Sequence, residues 1–197
     1  GSDRSIDKDG KLSELNVPLE EKLRLFSERL PVLSQLNVRY VISAYPLAHP
    51  QLREILRWRA TRRAIELYLY ENDGVRPRYY LTGDAVFTAR TNDDDVWWQN
   101  LEVADGNGTL VECAQCPTIA PGDGEIIVLT RRNAEYRFRT VTETPQLLVA
   151  GVNSLPGWRA TVDGNAVSLY RANFAHLAIP IPSGRHDVAI TFQPSWE

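Results

Sequence analysis

Three consecutive aspartates, Asp93–Asp95, form the densest acidic cluster of the sequence and are the first candidates for chemistry. Cleavage of a glycosidic bond commonly uses two carboxylates held at a fixed separation. These three are adjacent, at the predicted start of a short helix, where neighbouring side chains point in different directions. Carboxylates in that position cap a helix and interact favourably with its dipole. We therefore interpret the cluster as structural and predict no catalytic residue in it.

The sequence contains no signature of other common catalytic classes. The motifs GxSxG, HExxH, GxGxxG and the phosphate-binding P-loop are all absent from the sequence. The three histidines, His49, His176 and His186, are scattered along the chain and suggest no catalytic triad. The sequence therefore predicts a chain that is not itself an enzyme and that uses no cofactor.

The two cysteines, Cys113 and Cys116, form a single CxxC motif. A redox motif of this spacing usually opens a helix, whereas Pro117 and Pro121 indicate a loop at this point. A zinc site would need a second cysteine pair or nearby histidines. We predict no metal site, and two interpretations stay open: a free pair or a local disulfide.

Aromatic residues beside polar ones are the candidates for ligand binding. Trp97 and Trp98 follow the acidic cluster, and adjacent helix positions cannot both face one core, so one indole is expected at the surface. Tyr170 and Arg171 add a polar-aromatic pair of the kind that holds sugars. These four residues are the predicted ligand-binding site. Further candidates of the same kind are Tyr68, Tyr70, Tyr79 and Tyr80. The alternative is that the aromatic rings fill the hydrophobic core.

The elements that must position these residues are mostly strands. A helix is predicted after Pro18 and is expected to be interrupted at Pro31. Residues 53–73 predict two strands with a basic turn, with a helix up to Arg63 as the alternative. Residues 91–105 predict a short additional helix. After Gly122, β-rich runs follow one another without intervening helices. This order predicts an α+β, mainly β fold: a jelly-roll-like antiparallel β-sandwich with an N-terminal helix and one short additional helix.

The last forty residues predict a pair of hairpins. Asp163-Gly164 suits a two-residue turn that needs positive φ at both positions, and this turn aligns Val162 with Asn165 and Ala160 with Val167. A second turn over residues 182–185 would align Ile181 with His186, Ile179 with Val188 and Leu177 with Ile190.

Two other features of this segment carry predictions. Pro180 and Pro182 lack N–H groups on the same side of their strand, which predicts that this strand borders its sheet. Trp158 follows Gly157 and is predicted to anchor the core, with stacking on a sugar as the alternative.

The composition limits the classes of partner. With 43% hydrophobic residues the chain can bury a sizeable core. The near balance of 22 basic and 25 acidic residues predicts no electrostatic footprint for nucleic acid or for anionic lipid, and we expect no nucleic-acid partner. The sequence has no Met, and Gly1-Ser2 is typical of a cloning remnant, so we expect a piece of a longer protein.

Residues 1–17 are predicted to be a flexible segment and 18–197 a single β-sandwich domain with appended helices. The longest apolar runs are far shorter than the roughly 20 residues that span a bilayer.

Several of these segments, taken in order, resemble a known family. The stretch "GWRATVDG" is followed by Asn173 and Pro180 in one strand and then by the turn "PSGRH". This order is similar to the C-terminal soluble region of bacterial YfhO-like membrane proteins. Two earlier segments, "LNVRYVIS" and "LYLYENDGVRPRYYL", resemble further parts of the same region, while Cys113 and Cys116 are not part of its pattern.

The resemblance implies a parent protein with many transmembrane helices, similar to glycosyltransferases of the GT-C type that use lipid-linked sugar donors. The region present here would lie at the cell membrane on the extracytoplasmic side and follow those helices. Catalytic acidic residues are expected on loops of the membrane portion, so the resemblance assigns none to this chain. It implies that the domain covers or organises the membrane portion, its expected partner, and contacts glycan or lipid-linked sugar. The alternative function is a carbohydrate-binding module of a secreted glycan-processing enzyme.

Overall fold

The computed structural model describes residues 18–60, 65–89 and 108–194, and these residues form two compact units. The first unit takes in the chain up to Pro31 together with Tyr40–Asp73, and the second takes in Val32–Arg39 and the chain from Gly74 onward. The prediction of one domain over 18–197 stays a prediction.

The helix α1 spans Leu19–Gln35 and contains Pro31, so the expected interruption at this proline is wrong. A proline inside a helix removes one backbone hydrogen bond, but here the turn that follows it is held by other contacts. Val32 packs with Leu36 and Leu110, and Ser34 O accepts a hydrogen bond from Arg76 N at 3.2 Å. Tertiary contacts therefore continue the helix beyond a residue that local preference would make its end. Asn37, with φ of 62°, ends it.

The first unit contains a three-stranded antiparallel sheet of order β1-β3-β2. Its strands are β1 (Tyr40–Ser43), β2 (Leu52–Ala60) and β3 (Ile65–Asn72). Trp58 lies opposite Leu67, and Arg57 lies opposite Tyr68 and packs over its ring at 4.7 Å. The prediction of two strands over this segment is confirmed, and the alternative helix is wrong, because apolar and polar residues alternate with the period of a strand. The basic turn between the strands lies outside the described residues.

The second unit is a β-sandwich of a five-stranded and a six-stranded sheet. The five-stranded sheet is antiparallel, in the order β11-β10-β14-β8-β7. Its strands in chain order are β7 (Gly124–Arg132), β8 (Glu135–Thr142), β10 (Trp158–Val162), β11 (Asn165–Val167) and β14 (Gly184–Phe192).

The six-stranded sheet has the order β4-β9-β13-β12-β6-β5, and only its β5–β6 pair is parallel. Its strands in chain order are β4 (Tyr79–Thr82), β5 (Val86–Thr88), β6 (Leu110–Glu112), β9 (Gln146–Ala150), β12 (Tyr170–Ala172) and β13 (His176–Ile181). The predicted mainly β sandwich with an N-terminal helix is confirmed. The predicted short additional helix, residues 91–105, lies outside the described residues.

The main core fills the space between these two sheets. Phe138 and Ile190 from the five-stranded sheet meet Leu148 and Ile179 from the six-stranded sheet in one buried cluster. A second cluster, built around Val111 and Leu147, covers the other face of the six-stranded sheet. The six-stranded sheet is therefore apolar on both faces, which explains why all five residues of β9 are buried.

The first predicted hairpin forms as expected. Val162 pairs with Asn165 and Ala160 with Val167, and Asp163 and Gly164 take φ of 52° and 82°. Positive φ at both turn residues is the geometry that matches the twist of the two strands.

The second predicted hairpin is wrong, because β13 and β14 belong to different sheets. Ile179 pairs with Leu148 and Val188 pairs with Phe138, so residues 182–183 cross from one sheet to the other. The predicted sheet border is also wrong, because β13 lies inside its sheet. Pro180 is tolerated there because β12 reaches only as far as Ala178, so the strand has a locally free edge at the proline.

Candidate functional site

A crevice of about 440 Å³ opens in the second unit between the start of β10 and strands β6 and β12. Leu177 lies at its base, and residues 154–157 form one side. Two of the predicted ligand-binding residues, Tyr170 and Arg171, line it. The residues that give it chemical character are Glu112, Cys113, Trp158, Tyr170 and Arg171. The volume lies within the range of sites that hold small molecules.

An ion pair between Glu112 and Arg171 lies in the wall of the crevice. The two residues are directly opposite each other on β6 and β12, and Arg171 Nη2 lies 2.6 Å from Glu112 Oε1. The Glu112 side chain is 5% exposed and the Arg171 side chain 26% exposed. Within the described part of the chain, no aligned hydrogen bond reaches Glu112 Oε1. This oxygen is enclosed in the wall of the crevice, where the guanidinium of Arg171 is its charged contact.

The loop after β6 is closed by a disulfide between Cys113 and Cys116. Of the two interpretations left open by the sequence, the structure shows the disulfide. Cys113 N donates to Thr88 O at 3.0 Å, and Tyr170 Oη donates to Gln115 O at 3.1 Å. The disulfide loop is thus fixed both to β5 and to the start of β12, next to Glu112. These contacts order one rim of the crevice.

Trp158 belongs to the core and to the crevice at once. The centroid of its ring lies 5.0 Å from that of Phe192 and 5.8 Å from that of Tyr136, and the residue also lines the crevice. Gly157 sets its position: φ is 106°, and a Cβ at this residue would lie 2.7 Å from Gln193 O. Only glycine fits this close approach. The predicted core anchor is therefore also part of the crevice wall.

Asn173 connects three parts of the six-stranded sheet. It is fully buried with φ of 43°. Its Oδ1 accepts from Leu110 N at 3.0 Å, and its Nδ2 donates to Tyr80 Oη at 2.9 Å. Tyr80 Oη in turn lies 3.1 Å from Thr109 Oγ1. A residue singled out by the family resemblance thus has a structural role.

Asp163 and His186, from two other segments of the resemblance, contact each other. His186 Nδ1 lies 2.7 Å from Asp163 Oδ2, and Asp163 Oδ1 accepts from Asp187 N at 2.9 Å. The hydrogen bond to Asp163 raises the pKa of His186, and that same bond, followed by the one from Asp187 N, lowers the pKa of Asp163. The contact fastens the β10–β11 turn to the start of β14.

These two pKa shifts predict how stability depends on pH. The contribution of His186 is complete below its ordinary pKa and is lost as pH rises through the raised folded value. The contribution of Asp163 is complete above its ordinary pKa and is lost as pH falls through the lowered folded value. We expect the contact to stabilise most between about pH 4 and pH 6.5. The measurement is the Tm of thermal unfolding as a function of pH. Above neutral pH, the Tm of His186→Gln should decline less than the Tm of the unsubstituted chain. Identical Tm profiles would show that the His186–Asp163 contact does not contribute to stability.

The other sequence candidates lie elsewhere. Tyr68 and Tyr70 stack on each other in the first unit and are buried. Tyr79 packs against the main core, and Tyr80 belongs to the Asn173 network. These rings fill interiors, as the alternative interpretation expected. Trp97, Trp98 and the acidic cluster Asp93–Asp95 lie outside the described residues.

Glu112 was not predicted as a site residue. The signal that could have identified it is a single carboxylate in an otherwise apolar strand, "LVEC", directly before a cysteine. An acidic residue is rarely buried unless it has a partner, so its position in a buried strand implies a cation nearby.

The described residues contain neither a cluster of metal ligands nor a membrane-spanning helix. Within 18–60, 65–89 and 108–194, no group of three or more His, Cys, Asp or Glu side chains could hold a metal ion. Over the same ranges, no helix combines the length and the apolar character needed to cross a membrane.

Fold and crevice together define a β-sandwich domain with a polar-aromatic crevice. Residues 86–196 match the family described as bacterial membrane protein YfhO. The match covers more than half of the chain, and the chain belongs to this family. No curated protein and no solved structure matches it. The family assignment made from the sequence is confirmed, while the earlier segments 36–43 and 67–81 lie outside the matched residues.

Proposed function

We propose that the chain is a non-catalytic, extracytoplasmic domain of a YfhO-family membrane protein and that its crevice contacts carbohydrate. The observation that carries this proposal is that one crevice is lined by Trp158, Tyr170 and the Glu112–Arg171 ion pair. Sugars present an apolar C–H face and a rim of hydroxyl groups. An aromatic surface next to a carboxylate and a guanidinium complements both.

Charge balance in the crevice favours a neutral sugar. The guanidinium of Arg171 already faces the carboxylate of Glu112 at 2.6 Å, so an anionic ligand would meet little net positive charge. A sugar hydroxyl can donate to Glu112, which an anionic group without a donor hydrogen cannot do. The proposed ligand class is therefore a neutral hexose unit, free or as part of a lipid-linked donor or glycan.

The same residues support a non-catalytic role. Glycoside hydrolysis needs two carboxylates on either side of the bond that breaks. Among the described residues, Glu112 is the one carboxylate that lines the crevice. We propose that the catalytic groups lie in the membrane portion of the protein, that this domain covers or organises that portion, and that the chain has no nucleic-acid partner.

A carbohydrate-binding module of a secreted enzyme is the competing function. Such modules commonly bind along a row of exposed aromatic rings on one sheet face. The outward positions of β8 instead carry Arg137, Arg139 and Val141. This difference favours the first function.

Titration of the domain with neutral hexosides, followed by NMR, tests the proposal. We expect saturable shifts at the Trp158 indole and at Tyr170, and about tenfold weaker binding for Glu112→Gln, because a charged hydrogen-bond acceptor is lost. Glu125→Gln, an exposed residue on β7, is the matched control and should bind as the unsubstituted chain does. Absence of saturable binding, or equal loss in both variants, would refute carbohydrate contact at this crevice.

A further inference from the structure

An exposed apolar edge occurs on the five-stranded sheet. β7 is its last strand, and among the described residues no further strand pairs with its outer side. Three consecutive residues of β7 are exposed, namely Ile127 by 53%, Val128 by 44% and Leu129 by 49%. Val141 on the neighbouring strand is 37% exposed. Ile127 lies opposite the outward-facing Arg139 and Val128 opposite the buried Phe138, so these apolar side chains flank the strand edge on both faces. Exposed apolar side chains gathered at one edge often mark a place of interaction.

An irregularity in the β7–β8 pairing accounts for the exposure of Leu129. The register shifts between Val128 and Thr130, so Leu129 has no partner in the ladder. A bulge of this kind breaks the inward and outward alternation of a strand and bends its edge. It also disfavours the addition of another strand, because the hydrogen-bonding edge is interrupted. The exposed apolar residues are therefore poorly suited to bind a partner by strand addition.

Positive charge is concentrated beside these apolar residues. Strands β7, β8 and β14 together carry five arginines and three acidic residues, whereas the whole chain has a net charge of −3. Arg137 and Arg139 pair with Glu135 and Asp187.

Two further arginines, Arg131 and Arg132, follow the apolar residues on β7 after Thr130. Both are exposed, and within the described ranges neither forms an ion pair. We call Ile127, Val128, Leu129, Arg131, Arg132 and Val141 the basic-apolar edge.

The three-stranded sheet of the first unit also exposes apolar side chains. In the three-stranded sheet, Ile42 and Leu56 are exposed by 64% and 54%, on the same face as Leu69. The strands of that sheet carry three arginines and three glutamates. Among the described residues, the arginines of this sheet are equalled in number by glutamates, whereas Arg131 and Arg132 of the basic-apolar edge form no ion pair.

We propose that the basic-apolar edge docks on the surface of an anionic phospholipid bilayer. Apolar side chains beside arginines suit the boundary between lipid headgroups and acyl chains, where the arginines pair with phosphates and the aliphatic groups leave water. The family consists of membrane proteins, so a bilayer is part of the surroundings of the chain. The proposal is independent of carbohydrate binding in the crevice, because none of these residues lines it.

Vesicle co-sedimentation tests the proposal. The probes are vesicles of phosphatidylglycerol mixed with phosphatidylcholine, and vesicles of phosphatidylcholine alone. We expect binding to the mixed vesicles that weakens with salt, and much weaker binding to phosphatidylcholine. The double substitution Arg131→Gln/Arg132→Gln should weaken binding about 25-fold, at about fivefold for each arginine near the surface. Ile127→Ser/Leu129→Ser should weaken it about tenfold or more, because aliphatic area stays in water.

Matched control variants on the three-stranded sheet make the test specific. Arg57→Gln/Arg59→Gln removes the same charge, and Ile42→Ser/Leu56→Ser removes similar apolar groups. Both should bind vesicles as the unsubstituted chain does. Equal losses in edge and control variants, unchanged binding in the edge variants, or equal binding to both kinds of vesicle would overturn the proposal. Concentration-dependent self-association that the edge substitutions abolish, without any vesicle binding, would assign the edge to a protein interface and also overturn it.

Discussion

Replacement of Asn173 by alanine is expected to lower the free energy of unfolding by about 4 kcal/mol. The substitution leaves Leu110 N without its acceptor and removes the donor to Tyr80 Oη, in a site with no access to solvent. A buried polar group left unsatisfied costs about 1–3 kcal/mol. Alanine at a φ of 43° adds about 1 kcal/mol, because its Cβ disfavours the left-handed region.

Urea unfolding followed by tryptophan fluorescence measures this loss. Asn173→Gly separates the two causes: it removes the same hydrogen bonds but tolerates positive φ, so it should be less destabilising than alanine by about 1 kcal/mol. Thr161→Ala, a change in β10 away from this network, should have a much smaller effect. A loss below about 1 kcal/mol in Asn173→Ala would show that the network does not hold the sheet together.

Most strands could be predicted because their signals are local. In the segment from Gly124 to Thr142, two β-rich runs and the polar turn between them are contained within a few residues, and β7 and β8 follow directly from them. The Asp163-Gly164 turn encodes its own register in the same way.

The strand that pairs with β13 could not be predicted from local sequence signals. Ile179 satisfies the alternating pattern equally well against Val188 in a hairpin or against Leu148 on β9. The choice is decided by packing in three dimensions, where Phe138 and Leu148 lie on opposite sides of one core. Pro31 was misjudged for the same reason, since contacts with residues distant in the sequence continue the helix beyond it.

Some residues of the crevice could be predicted from local sequence patterns, and others could not. Tyr170 and Arg171 stand out in the sequence as a polar-aromatic pair in a strand-rich region. Glu112 gains its importance only from the pairing of β6 with β12, which no local pattern indicates. The segments that carry the family resemblance have mainly structural roles, as Asn173 and the Asp163–His186 contact show.

The removal of the Glu112 carboxylate has the second largest expected effect. Glu112→Ala should lower the free energy of unfolding by about 3 kcal/mol, because it leaves the guanidinium of Arg171 partly buried without its counter-charge. This loss in free energy of unfolding lies at the lower end of the range for breaking a buried ion pair, because the Arg171 side chain retains some access to water.

A double-mutant cycle with Arg171→Ala assigns this cost to the pair itself. Each single substitution leaves one buried charge without its partner, whereas the double variant leaves none. The double variant should therefore lose less free energy of unfolding than the sum of the two single losses, by about 1–3 kcal/mol. The pair formed by Arg57 and Glu54, which is exposed on β2, is the matched control and should give a coupling below about 1 kcal/mol. Additive losses at Glu112 and Arg171 would show that the two charges are solvated separately. The crevice would then contain a freely hydrated carboxylate, and the physical reason to expect a sugar hydroxyl at Glu112 would be lost.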